Sequence, residues 1–224
     1  MEISNKYVGY CDILGFSNAV ISKFDETIKV YTEFRKFLSF YKIENITISI
    51  YSDSIMVVGD TLFNVAEAIQ ILHWFTLRDK WLIRGGIAYG KHWKESDENN
   101  LFIVSEALVK AVAIEKEIRY PIIAVSEEIN IDFNYWISVL NRQYGEWPII
   151  YFDKKNIVNP MCKYWFKSAI VQLNGLKSQY PEHFAKYNYL LNIFDDMNLQ
   201  KPIFPKDSLD DLVKNGVLKR INLK

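Results

Sequence analysis

Ile48-Ser49-Ile50-Tyr51-Ser52-Asp53-Ser54-Ile55-Met56-Val57-Val58 decides how this chain is read. Two apolar, β-branched runs meet at a short polar stretch, so the spacing predicts strands over 46–51 and 54–59 joined by a tight turn. The turn carries one acid, Asp53. A second acid, Asp12, stands at another strand end, where Tyr7-Val8-Gly9-Tyr10-Cys11 gives way to Ile13-Leu14-Gly15-Phe16-Ser17. Two carboxylates on adjacent strand ends can share divalent metals. Hard cations such as Mg²⁺ or Mn²⁺ prefer oxygen ligands and are usually held by one or two carboxylates plus substrate phosphates. The pair points to nucleotide chemistry.

Outward from this hairpin, residues 6–14 read as a buried strand. Residues 16–41 read as a short and a longer helix, with Val20, Ile21, Phe24, Ile28, Tyr31, Phe34 and Leu38 at helical spacing and a break around Asp25 and Thr27. Residues 61–79 form an amphipathic helix through Val65, Ala68, Ile69, Leu72 and Phe75. Residues 81–92 read as a strand whose Gly85-Gly86 marks close backbone approach or a bulge. A polar loop at 93–100, a helix at 101–118 and a short strand at 121–125 follow. This order predicts an α+β, ferredoxin-like split βαβ sandwich with helices over one face of a largely antiparallel sheet. A helix at 133–145, a strand at 148–153, helices at 161–180 and 182–198, and a helix-like stretch near 207–215 make a C-terminal extension. No repeat or low-complexity linker intervenes, so residues 1–130 read as the core and 131–224 as an extension packed on it.

Of the 224 residues, 50% are hydrophobic and 15% aromatic, enough for a substantial core. The 27 basic and 27 acidic residues cancel, which argues against a general nucleic-acid-binding surface but permits a local basic pocket for a triphosphate. Two cysteines, Cys11 and Cys162, fit a reduced compartment better than a disulfide framework. There is no apolar signal segment, and no run approaches the ~20 residues of a membrane helix, so a cytoplasmic protein is expected. His73, His92 and His183 show no zinc spacing.

Taken together, Asp12-Ile-Leu-Gly-Phe-Ser17, Tyr51-Ser-Asp53-Ser-Ile-Met-Val-Val58 and Arg84-Gly-Gly-Ile-Ala-Tyr-Gly90 resemble the motifs of the class III nucleotidyl cyclases in order and spacing, over roughly residues 6–126. The resemblance implies two Mn²⁺ or Mg²⁺ ions held by Asp12, Asp53 and the Ile13 carbonyl, one activating the ribose 3′-hydroxyl and the other clamping the triphosphate. It implies a phosphate cradle of backbone N–H groups at Leu14, Gly15, Phe16 and Ser17, where a helix begins. Asp12, Asp53 and Arg84 would be the catalytic residues.

The departures from that family are informative. Where purine cyclases place a base-reading Lys or Glu, this chain has Ser49, and Tyr51 two residues on offers a bulky wall suited to a smaller base. The family's transition-state Asn and Arg fall at Val109 and Ala113, leaving Lys110 or Arg84 to supply positive charge. Arg84, inside an apolar strand, could equally be a structural partner of Glu106 or Glu115. The strand motif followed by Ser105-Glu-Ala-Leu-x-x-Ala-x-x-x-Glu115 resembles the stand-alone Pycsar pyrimidine cyclases of bacterial anti-phage defence. That resemblance implies a homodimer with active sites at the subunit interface. It also implies UTP (or CTP) as substrate, a uridylate cyclase activity in the first instance, and a separately encoded effector activated by the cyclic nucleotide. A purine cyclase and an inactive nucleotide-binding module of the same fold are the alternatives.

Overall fold

The computed structural model describes residues 3–40, 43–131, 135, 147–160, 165–198 and 213–215. Its spine is β1 (Ser4–Leu14), hydrogen-bonded antiparallel to β3 (Ser54–Gly59) on one side and β4 (Leu82–Ser96) on the other, with β2 (Ile46–Tyr51) outside β3. Helices α1 (Phe16–Ser22) and α2 (Phe24–Phe40) connect β1 to β2, and α3 (Leu62–Arg78) connects β3 to β4. The strand order β2-β3-β1-β4 with these connections is the interlocked pair of split βαβ units that the sequence predicts.

The sheet then grows on the β4 side. β5 (Leu101–Ser105) folds back on β4, α4 (Glu106–Glu117) crosses over, and β6 (Ile123–Val125) pairs with β4 in parallel. β8 (Lys155–Val158) joins β6, and β7 (Ile149–Phe152) pairs with β8 around a turn in which Asp153 and Lys154 both have positive φ. Helices α5 (Phe166–Gln179) and α6 (Phe184–Asn198), separated by a short turn of tighter helix at Pro181–His183, bury Leu173, Leu190 and Phe194 in one cluster with Trp147, Leu77 and Leu82.

Four readings of the sequence are corrected. The helices do not share one face. Side-chain alternation puts Gly9 and Ile87 toward α3, where a methyl on Gly9 would strike Ile69. Tyr10 and Gly86 face the other way, and a methyl on Gly86 would strike Ile114 and the Ala111 carbonyl of α4. Bare backbone at Gly86 and Gly90 is what admits a helix so close on that side. Second, residues 101–105 are a strand, as Leu-Phe-Ile-Val favours, and the helix starts at Glu106 because the Ser105 hydroxyl caps it by accepting from the Leu108 N–H at 3.1 Å. Third, the loop at 93–100 shrinks to a turn held by Asp97, which accepts from the Asn99 and Asn100 N–H groups. Fourth, the break between α1 and α2 falls at Lys23, ahead of Asp25. β8 was not foreseen. The reading of 133–145, 161–164 and 207–215, and of Cys162, lies outside the described residues apart from 135 and 213–215.

Under α2 and α3, Cys11, Ile13, Ile55, Val57, Ile69, Leu72, Ile83 and Ile87 make the main core, each removing on the order of 1.5–3 kcal/mol of apolar surface from water. Cys11 is a buried free thiol.

Candidate functional site

The registers of three strand pairs place Tyr51, Ser54, Asp12 and Arg84 in one rung across β2, β3, β1 and β4. Directly opposed residues of antiparallel strands project from the same face, so all four stand on the α4 side. Ser49, two residues before Tyr51, shares that face one rung further in, opposite Met56, which in turn separates it from Tyr10. The Tyr10 hydroxyl and Ser54 Oγ are hydrogen-bonded at 2.8 Å, which cross-braces the two rungs.

Asp53 is brought to this rung by the two-residue turn that joins Tyr51 to Ser54. Ser52 takes a left-handed conformation there (φ 54°), unusual for a residue with a Cβ. Two contacts hold the turn. The Ile13 N–H donates to the Asp53 carbonyl at 2.8 Å, tying it to the end of β1, and the Tyr31 hydroxyl donates to the Ser52 carbonyl from α2. Tyr31 is itself gripped by Phe16 and Trp81, the three ring centroids lying 5.3 and 5.8 Å apart. The same aromatic trio therefore braces the Asp53 turn and, through Phe16, the segment after Asp12.

That segment leaves β1 at Leu14 and turns at Gly15, whose φ of +80° requires glycine although a Cβ would meet nothing. Phe16 is buried, Ser17 is exposed, and no side chain caps the start of α1. The first N–H groups of the helix are left for solvent or an anion.

The electrostatics of the rung are unbalanced. Burial, Asp53 and Glu115 all push the Asp12 carboxyl above the usual carboxylate range, and Arg84 pulls against them. The guanidinium is committed elsewhere: Arg84 Nε lies 2.6 Å from Glu115 Oε1 and 3.8 Å from Asp12 Oδ2. The short contact is out of hydrogen-bond alignment, so both atoms are buried without a hydrogen-bonded partner. Of the two acids open to Arg84 from sequence, the fold selects Glu115, whose side chain is only 8% exposed. Among the described residues no three His, Cys, Asp or Glu side chains cluster as a metal cage. A donor set of two repelling carboxylates fits a hard cation completed by phosphate oxygens.

Lys110 is not brought to this group. It pairs with Glu106 at 3.1 Å and Glu128 at 2.7 Å, beside a cavity lined by Asn5, Tyr7, Tyr89 and Asn130 toward the other end of β1. Val109 and Ala113 are exposed on α4. Tyr31 and Ser54 escaped the sequence reading. Tyr31 registers there only as one more apolar position of an amphipathic helix, and nothing local announces its bond to a turn 21 residues away.

No protein-family model matches the chain, and no curated protein does. Solved structures are similar to it at low identity. The adenylyl cyclase CyaB from P. aeruginosa matches at 16% identity and TM-score 0.48 over 71% of this chain and 97% of its own. A guanylyl cyclase domain of the RhoGC fusion protein from the aquatic fungus Blastocladiella emersonii matches at 16% identity and TM-score 0.46 over 57% and 82%. The guanylyl cyclase Cya2 matches at 14% identity and TM-score 0.42 over 57% and 77%.

Proposed function

We propose that this chain is a metal-dependent pyrimidine nucleotide cyclase. It converts UTP, or CTP, to the 3′,5′-cyclic monophosphate and pyrophosphate, as a second messenger in anti-phage defence read by a separately encoded effector. The observation that carries the reading is the junction of Asp12 and Asp53 at one sheet end, with Asp12 destabilised as an anion by Asp53 and by burial. Among the described residues Asp53 forms no ion pair and Asp12 only the 3.8 Å contact with Arg84, so a cation would relieve the two acids.

When bound by Asp12, Asp53 and the Ile13 carbonyl, two Mn²⁺ or Mg²⁺ ions supply activation of the 3′-hydroxyl and compensation of triphosphate charge. The uncapped N–H groups after Gly15 would receive the β- and γ-phosphates, with open space beside Gly15 for their approach. The 3′-oxygen bonds to the α-phosphorus as the bond to the pyrophosphate oxygen breaks, with the nucleotide held in line by these contacts. Ser49 and Tyr51 border the base from the edge strand, offering a small neutral group and a ring but no charge. Arg84, only partly satisfied by Glu115 and 3.8 Å from Asp12, would supply positive charge beside the two acids. Exposed Tyr51 and Val109 offer apolar surface to a second copy, in keeping with a homodimer that completes each site.

The test is turnover of the purified protein with Mn²⁺ and each of ATP, GTP, CTP and UTP, with products identified by mass. Cyclic UMP or cyclic CMP is expected. A cyclic purine would keep the chemistry and discard the roles of Ser49 and Tyr51. Metal-dependent nucleotide binding with no product would favour an inactive binding module, the reading that exposed Val109 and Ala113 support.

A further inference from the structure

An apolar opening among the described residues lies beside the site above and shares Phe16 and Tyr31 with it. It is a cavity of about 480 Å³ between α1, α2 and β2, within the range of small-molecule pockets. Its wall is carbon almost throughout: Phe16, Val20, Phe24, Ile28, Tyr31 and Leu38 are the principal faces. Phe24 and Ile28 at its mouth are 58% and 49% exposed, a poor use of apolar side chains unless something covers them.

The polar groups of the wall define what that something is. The Thr27 hydroxyl donates to the Lys23 carbonyl, the Thr32 hydroxyl to the Ile28 carbonyl, and the Tyr31 hydroxyl to the Ser52 carbonyl, so none has a proton to offer. Arg35 is different. Glu26 and Glu33 of the same helix are paired with Lys23 and Lys36, and Arg35 makes no ion pair among the described residues. One exposed, unpaired guanidinium among otherwise apolar lining residues matches a long hydrocarbon with a single anionic head, which the fork of the guanidinium can grip bidentately.

We infer that this cavity is a binding site for an amphiphilic carboxylate of the fatty-acid class, and that its occupancy regulates the Asp12–Asp53 site. The coupling is built into shared residues. Phe16 and Tyr31 form the inner wall of the cavity. The same two side chains brace the segment after Gly15 and the Ser52 carbonyl of the Asp53 turn. A chain pressed against them biases the position of both carboxylate-bearing segments. Binding stands on the cavity alone, whereas the effect on turnover rests on the cyclase reading.

The experiment is calorimetry of the full chain with dodecanoate, dodecanol and dodecylammonium below their aggregation limits. It is repeated on Arg35→Gln and Ile28→Trp and followed by Mn²⁺ titration of turnover with and without dodecanoate. Expected are preferential binding of dodecanoate, about tenfold weaker binding in R35Q from loss of the charged contact, and loss of binding in I28W, which fills the mouth. Expected too is a severalfold shift in the Mn²⁺ concentration for half-maximal turnover, absent in I28W. Equal binding of all three amphiphiles, or binding untouched by either substitution, overturns the site. Dodecanoate that binds as described but leaves the Mn²⁺ dependence unmoved overturns the coupling. A chain that turns over no nucleotide defeats the cyclase reading, while the calorimetry still decides the site.

Discussion

Two clusters of charge sit toward opposite ends of the central strands, and they obey opposite rules. At one end Glu106, Lys110 and Glu128 satisfy each other: hydrogen bonds and attraction hold Glu106 below its usual range and Lys110 above it, so each group is most at home charged. At the other end Asp12 is pushed the other way by burial, Asp53 and Glu115, with Arg84 spent mainly on Glu115. A structural network lowers its own energy. A site that awaits a ligand carries tension that the ligand removes, and perturbed groups of this kind concentrate at functional positions.

The comparison breaks most visibly at the acids themselves. Asp53→Ala or Asp12→Ala is expected to cut Mn²⁺-dependent turnover by about 10³-fold, several kcal/mol of lost charge stabilisation, while the fold persists by circular dichroism. Cyclic product surviving at near wild-type rate in both would end the metal-site reading. Next in size is Tyr31→Phe, which removes the donor to the Ser52 carbonyl and keeps the ring packing. Loss of such an outer support is expected to raise the Mn²⁺ concentration for half-maximal turnover by roughly 10-fold, with little change in thermal stability. An unchanged metal titration would reduce Tyr31 to packing.

A smaller effect tests the tension directly. Because the folded-state pKa of Asp12 is raised, the folded protein binds its proton more readily than the unfolded chain does. Stability from this group is therefore greatest at low pH, and it falls as pH climbs from the unfolded value through the raised folded one. Asp12→Asn should abolish that slope and, without metal at neutral pH, raise Tm. A fall in Tm would show that Asp12 is held favourably by Arg84 after all. Smallest is Lys110→Met. An exposed pair contributes little, so Tm should stay essentially where it was. A large drop in turnover with Tm unmoved would give Lys110 the substrate contact expected from its place one residue from Val109.

The hairpin was legible to the residue, because one strand alternates isoleucine with small hydroxyl residues, the other is an apolar run, and Ser52-Asp53 between them forms the turn. α3 was legible from its stripe within one residue at each end. β5 was not, since four apolar residues running directly into a helical pattern fit either period. Nor was the side taken by α4. It depends on which face of β4 Gly86 and Gly90 present, and alternation fixes only that they share one. At the site, Asp12 and Asp53 announced themselves by standing in polar breaks of apolar strands. The choice of Glu115 over Glu106 for Arg84 is a matter of which turn of α4 lies over the rung, and sequence spacing left both within reach.

The turn of two residues between Tyr51 and Ser54 has a bearing on how this molecule can vary. A hairpin so short has no slack: one inserted residue would slip β3 by a position and swing its buried face into solvent. Asp53 can be exchanged for another side chain, but it can scarcely be displaced along the chain. Changes of length in this half of the sheet are left to the turn at Asp97–Asn100, far from the rung. An engineer wishing to graft a tag or a sensor should cut there and leave the hairpin whole.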